Sequence, residues 1–437
     1  MPSGRDSGMR RALVVGALAL LGGACAHFPL NSPLGRDDSR GGYKFENLNR
    51  SVANTNSLLV CLSFSGGGTR AAAFSLGVLR TLRDTKIQGE SKRLIDEVDV
   101  VSAVSGGAFT AAYYGLYGEE RLFREFEPIL QRDFASELLR RGLLCPYNGI
   151  RLLSPWFERS DLAAELYGET IYGKKTYADL QARGRPFIVL NATNLSLGQR
   201  FEFTQPEFDL LGSALHDFPV GRAVAASSAF PFLLTPVTLA NYGAASLAPD
   251  SSETAADRVL RDRERARRSV AADREHHPFV HLVDGGIIDN LGLGYLLDSY
   301  RDGFIRDLLN AQEVSTLVFI VVNARNRAPE DMDATACAPG VTNVVVSCMA
   351  ASIDCHSGEL ARSIGALQTA EEARSGVKVY TIEVNLEDLP DEARRERLLA
   401  IGTDYALSAD EIHDLADAGA ELLRRSPTFG KLVEALK

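Results

Sequence analysis

The chain has 437 residues, 45% hydrophobic and 24% charged, with 38 Gly and 17 Pro. Those proportions belong to a globular protein with enough length for a sizeable core, and they exclude collagen-like, coiled-coil and wholly disordered chains. Its 47 Lys+Arg against 57 Asp+Glu give a net charge of -10, which disfavours nucleic acid as a partner and leaves contact with anionic lipid to apolar surface or an anchor.

Arg5, Arg10 and Arg11 precede an uncharged run from Ala12 to Cys25. A basic start, a short apolar run and small residues behind it form the layout of a secretory signal, and the run is shorter than the ~20 residues of a membrane-spanning helix. Leu21-Gly22-Gly23-Ala24-Cys25 is similar to a bacterial lipoprotein signal, with Gly22 where a large aliphatic residue is usual. Residues 1–25 are therefore expected to direct the chain to a bacterial cell envelope, with Cys25 lipidated; an ordinary secretory signal or an uncleaved helix is the plainer reading. Residues 26–56 read as a tether. Cys61, Cys145, Cys337, Cys348 and Cys355 remain in the folded part, and export permits a disulfide among the last three without fixing its connectivity. No Cys-x-x-Cys or His/Cys pair has zinc spacing, so no metal is expected.

Residues 57–64 (SLLVCLSF) form a β-rich run ending at Ser65-Gly66-Gly67-Gly68, and residues 71–83 follow with helical apolar spacing. Residues 98–104 form a second such run, again ending at a glycine pair and opening into a helix-like stretch. Strand, glycine turn and helix, twice in fifty residues, predict an α/β fold with a mostly parallel sheet. Further strands are expected at 186–191, 279–283, 316–322 and 377–384. The main domain spans 57–390, with a helical insertion at 119–182 and a densely charged one at 251–275, and residues 391–437 close it with helix. The 119–182 segment suits a helical subdomain with its own core, a cap over an apolar site, or a face that dips into membrane. Residues 251–275 read as a solvated helix.

Three segments could carry chemistry. The glycine loop 65–68 lies between a strand and a helix, where free N–H groups and the helix dipole welcome an anion, either a phosphate or an acyl-transfer oxyanion. No Gly-Lys-Ser/Thr follows it, and the acidic residue of a dinucleotide site is missing from the next strand's end. Ala103-Val104-Ser105-Gly106-Gly107 approximates the nucleophile elbow, in which a serine is held exposed on a strained strand-to-helix turn. Asp284-Gly285-Gly286 ends the strand at 279–283, at the sheet edge where the other loops emerge.

Together and in this order, these segments resemble the patatin-like phospholipase family. Its serine–aspartate dyad matches Ser105 and Asp284, its oxyanion loop Gly66, Gly67 and Gly68, and its Asp-Gly-Gly/Ala motif residues 284–286. Ala192-Thr193, the run Ala225-Ala226-Ser227-Ser228-Ala229-Phe230-Pro231, and Asp289-Asn290 extend the likeness over residues 58–293. Ala103 and Ala71 depart from it, each replacing a usual glycine by the next smallest residue.

The resemblance implies a three-layer sandwich with helices on both faces of the sheet. It also implies a lipid acyl hydrolase working through an acyl-serine without a cofactor, on phospholipid or other acyl lipid at a membrane surface. In that reading Ser105 is the nucleophile, Asp284 takes its proton, Gly66–Gly68 bind the oxyanion, and Gly106 and Gly107 shape the elbow. Arg70 either reads a substrate phosphate or holds structure. A Ser-His-Asp triad through His281 is a rival, although His281 and Asp284 fall on opposite faces of a regular strand. A soluble-ester esterase, a catalytically silent lipid binder and a nucleotide-binding α/β protein are the alternatives. The sequence leaves the oligomeric state open.

Overall fold

The apolar runs at 58–64 and 98–104 are buried at all seven positions each, which is why they show no polar alternation: they are strands covered on both faces. The computed structural model describes residues 31–35, 41–89, 91–231, 233–243, 258–325, 340–402 and 406–437. Its main sheet has eight strands: β1 Leu58–Phe64, β2 Val98–Val104, β3 Phe187–Asn194, β4 Gln199–Glu202, β5 Val237–Ala240, β6 Phe279–Asp284, β7 Thr316–Asn323 and β8 Lys378–Asn385. They lie in the order β8-β7-β1-β2-β3-β6-β5, with β4 also pairing β3. The pairs β8–β7, β7–β1, β1–β2 and β2–β3 are parallel, and those made by β6 and β4 are antiparallel.

The helices that position the site are α1 Gly68–Asp84, α2 Gly106–Glu125, α3 Phe134–Leu144, α4 Pro146–Leu152, α5 Arg159–Thr170, α6 Val220–Ser227, α7 Arg258–Ala272, α8 Val341–Ser375 and α9 Ala409–Arg425. Right-handed crossovers put α1 and α2 on one face of the sheet. The connection through α8 steps in the opposite direction across the sheet, so the same handedness puts α8 on the opposite face. This is the expected α/β sandwich, helices flanking a mostly parallel sheet. Helix α9 lies directly on α1: a Cβ at Gly77 would meet Ala416 O at 1.8 Å, and one at Gly419 would meet Phe74 O at 2.4 Å. No described helix is long and apolar enough to cross a membrane.

Several expectations are corrected. The tether over 26–56 does not hold for its described part. Ser32–Pro33 pairs with Ser213–Ala214, and Tyr43, Phe45 and Leu48 are buried in the main core, since three large apolar side chains gain more by burial than by solvation. Within 119–182 only Phe157 and Leu162 form a separate cluster, whereas Phe126, Leu130, Phe134, Leu166 and Tyr167 join the main core. Helix α7 is not simply solvated: Arg267 reaches from it to Glu207 and, at 3.5 Å, to Glu202. Cys355 is a free thiol, so the disulfide considered for that region does not involve it. The signal region with Cys25, residues 251–257 and Cys337 lie outside the described residues.

Candidate active site

Ser105 is the residue between β2 and α2, with φ 48° and ψ −118°. That is a left-handed conformation a side chain adopts only when its surroundings enforce it. Two contacts enforce it here. Its N–H donates to Ser227 Oγ at 2.9 Å, and Ser227 Oγ in turn donates to Asn191 O at 2.6 Å. Helix α2 is also pressed against the glycine loop so closely that a Cβ on Gly106 would sit 1.9 Å from Gly68 O. Gly107 N–H donates to Ser65 O at 3.1 Å, tying elbow to loop. Ala103 needs no glycine because it is an ordinary, fully buried strand residue, and Ala71 lies inside α1, where alanine is the preferred residue.

Asp284 arrives by an unforeseen route. Strand β3 runs three residues past Val104, its partner row being Asn191, and β6 pairs antiparallel with that overhang, Asp284 opposite Ala192. The aspartate therefore reaches the C-terminal edge of the parallel strands at the end of a strand running against them. Its Oδ2 accepts from Ser105 Oγ at 2.9 Å and its Oδ1 from Gly286 N–H at 2.7 Å. Burial raises its pKa to about 6, with both hydrogen bonds opposing that rise.

The glycine loop divides its N–H groups. Gly66 N–H donates to Asn290 O at 2.9 Å and is not available to a ligand. Gly67, at φ 134° in a region open essentially to glycine, precedes α1, and Gly68 is the first residue of that helix. Their N–H groups have no acceptor among the described residues and stand at the positive end of the α1 dipole. Arg70 does not face this space. Its guanidinium is fully buried, donating to Ala324 O at 3.1 Å and to Ile401 O, and burial lowers its pKa to about 10. The substrate-phosphate contact considered for it is corrected accordingly.

A cavity of about 30 Å³ opens at Ser105, lined by Gly68, Thr69 and Ser228 and by the apolar Phe109, Ile129, Leu130 and Phe134. His281 is exposed and bonds Thr238 at 3.0 Å, so it is neither packed nor part of a triad. His276 is exposed and pairs with Asp273. Among the described residues no histidine bonds Ser105 or Asp284.

Three site residues carried no role in the sequence reading. Ser227 holds the elbow, Asn191 accepts from Ser227 and donates to Ala103 O at 3.1 Å, and Asn290 backs the glycine loop. Ser227 and Asn290 stand in segments that bear the family likeness and Asn191 directly precedes one; the likeness marked the segments and not the contacts.

A family model described as patatin-like phospholipase matches residues 62–297, just over half of the chain. Among solved structures, human GIVD cytosolic phospholipase A2 is similar at 14% identity and a TM-score of 0.43, over 87% of this chain and 62% of that one. The same human enzyme in complex with methyl gamma-linolenyl fluorophosphonate is similar at 13% identity and a TM-score of 0.45, over 90% of this chain and 61% of that one. The chain thus spans about three fifths of the length of these neighbours. No curated protein sequence matches it.

Proposed function

The chain belongs to the patatin-like phospholipase family, and from that premise we propose that it hydrolyses carboxylic esters of acyl lipids with Ser105 as nucleophile and Asp284 as proton acceptor. The observation that carries this reading is the 2.9 Å hydrogen bond from Ser105 Oγ to Asp284 Oδ2, made at a strained elbow beside the unpartnered N–H groups of Gly67 and Gly68.

Ser105 Oγ attacks the ester carbonyl carbon while Asp284 takes the hydroxyl proton. An aspartate of ordinary pKa is a weak base for a serine, and burial of Asp284 raises its pKa to about 6 and strengthens it. The carbonyl oxygen becomes an oxyanion and is met by the N–H groups of Gly67 and Gly68, each such donor contributing about 3 kcal/mol in comparable sites. Collapse expels the alcohol, to which Asp284 returns the proton, and leaves an acyl-serine. Water, deprotonated by Asp284, then attacks the same carbonyl; fatty acid leaves and Ser105 recovers its proton. Every step uses side chains and N–H groups of the chain itself. We further propose export and lipidation at Cys25, which would hold the enzyme beside its substrate.

Fatty acid release from mixed phospholipid vesicles, with a short-chain soluble ester in parallel, tests the reading. Ser105→Ala and Asp284→Asn are expected to abolish both activities. The second reading is a soluble-ester esterase using the same Ser105–Asp284 pair. Ester turnover without lipid turnover would select it, and no turnover of either by folded protein would remove both readings in favour of a silent lipid binder.

A further inference from the structure

Large hydrophobic side chains left exposed on a protein normally occur singly, and clusters of them mark a contact surface. Among the described residues eleven such side chains are exposed, and six of them fall within residues 139–156: Leu139, Leu143, Leu144, Tyr147, Leu153 and Trp156. Scatter along the chain does not produce that concentration. These residues belong to the hairpin of α3 and α4 and the turn that follows. The hairpin is a formed structure: Asn148 donates to Arg141 O at 3.3 Å, and Gly142 lies close against Leu152. Leu139 and Leu143 are one helical turn apart on α3, and Leu143 and Leu144, 73% and 74% exposed, stand at its tip.

We infer that this hairpin is a bilayer-docking face, which seats its leucines and Trp156 among the acyl chains of a membrane containing anionic lipid. The choice of lipid as occupant rests on the acyl-lipid reading above and on three local observations. First, the face is continuous with the reaction site, because α3 begins at Phe134, which lines the cavity beside Ser105. Second, in a chain of net charge -10, residues 138–157 hold three arginines and no carboxylate. Arg141 and Arg151 pair with Glu137, Glu169 and Glu165, all outside that stretch, and Arg140 is exposed beside Leu139. With Arg141 and Arg151 held by carboxylates at its rim, the face offers an anionic surface the exposed cation Arg140. Third, the aromatic members are tryptophan and tyrosine, whose polar tips suit the boundary between acyl chains and headgroups.

Trp156 is the only tryptophan of the chain, so its fluorescence reports this face and no other. The test uses the full chain carrying Ser105→Ala, with phosphatidylcholine vesicles with and without phosphatidylglycerol. Because no turnover is involved, failure of docking and failure of the hydrolase reading are read separately. The expected result is a blue shift of Trp156 emission and co-sedimentation, both stronger with phosphatidylglycerol. Leu143→Ser/Leu144→Ser is expected to weaken vesicle binding about tenfold or more, and Arg140→Gln to reduce the preference for phosphatidylglycerol. Both sites are exposed, and circular dichroism with the thermal midpoint checks that the variants keep their fold. Emission unchanged by vesicles would overturn the inference, as would undiminished vesicle binding by the double leucine variant. So would a dimer that this variant converts to monomer, which would assign the face to a protein contact.

Discussion

Ser105 Oγ and Asp284 Oδ2 lie 2.9 Å apart although they are 179 positions apart in the chain, and among the described residues the carboxylate pairs with no cation and accepts from Ser105 Oγ and the Gly286 N–H. Burial raises its pKa to about 6, so near that pH about half of the protein carries a protonated Asp284, which on the proposed mechanism is no base. The rate kcat/KM on a soluble ester is expected to rise with pH along an acid limb centred at about 6. Asp284→Asn is expected to abolish the turnover on which that limb is seen. A limb near the ordinary aspartate value would mean that Asp284 is better solvated than its burial implies.

The same burial sets a stability cost. Folded Asp284 holds its proton more tightly than it does in the unfolded chain, so its contribution to stability is fully present below about pH 4. That contribution is lost as pH rises through about 6, by on the order of 3 kcal/mol. Asp284→Asn keeps the shape without the charge. Thermal unfolding is expected to show the variant above wild type at about pH 8, with the gap closing at about pH 4. A variant less stable at the higher pH would show that the two hydrogen bonds to the ionised carboxylate outweigh its desolvation.

Strain at Ser105 gives a second dissociation of activity from stability. At φ 48° a side chain costs about 1 kcal/mol or more, and glycine relieves it. Ser105→Gly is expected to be inactive and to unfold at a higher temperature than Ser105→Ala, which loses the hydroxyl but keeps the strain. Equal midpoints for the two variants would mean that the elbow relaxes once the hydroxyl is gone.

The parts of this site that could be read in the sequence are those whose cause is local. The strands at 58–64 and 98–104 are mostly apolar because both faces are covered, and each ends where glycine lets a helix approach, so both boundaries and Ser105 are legible in the residues themselves. What was hidden depends on distant chain. The antiparallel entry of β6 follows from how far β3 overruns β2, a length that residues 279–284 do not encode. The burial of Arg70 depends on carbonyls at 324 and 401. Tyr43, Phe45 and Leu48 are a legible exception, three large apolar residues within 26–56 whose side chains argue for burial rather than for a tether.

Arg70 separates a structural from a substrate-reading arginine. Its two acceptors, Ala324 O and Ile401 O, would be left without their donor in Arg70→Met, at about 2–4 kcal/mol. The variant is expected to unfold at lower temperature while the ratio of phospholipid to neutral-lipid hydrolysis stays unchanged. A selective loss of phospholipid turnover would return the guanidinium to the substrate.

Ser227 offers the sharpest test of whether the elbow is held from behind. Its Oγ accepts from Ser105 N–H and donates to Asn191 O, so one hydroxyl connects the backbone of Ser105 to β3, and β3 in turn carries the strand that ends in Asp284. Ser227→Ala leaves a buried N–H without an acceptor and is expected to destabilise the fold by about 1–3 kcal/mol. A merely structural loss would stop there. If the hydroxyl fixes the direction of Ser105, kcat also falls, by about tenfold to a hundredfold, with KM nearly unchanged, because the alanine touches no substrate. Ser227→Thr keeps the hydroxyl and is expected to recover much of kcat even where the added methyl lowers the thermal midpoint. Loss of stability with full kcat in Ser227→Ala would show that Asp284 and the packing of Gly106 against Gly68 suffice to aim the serine.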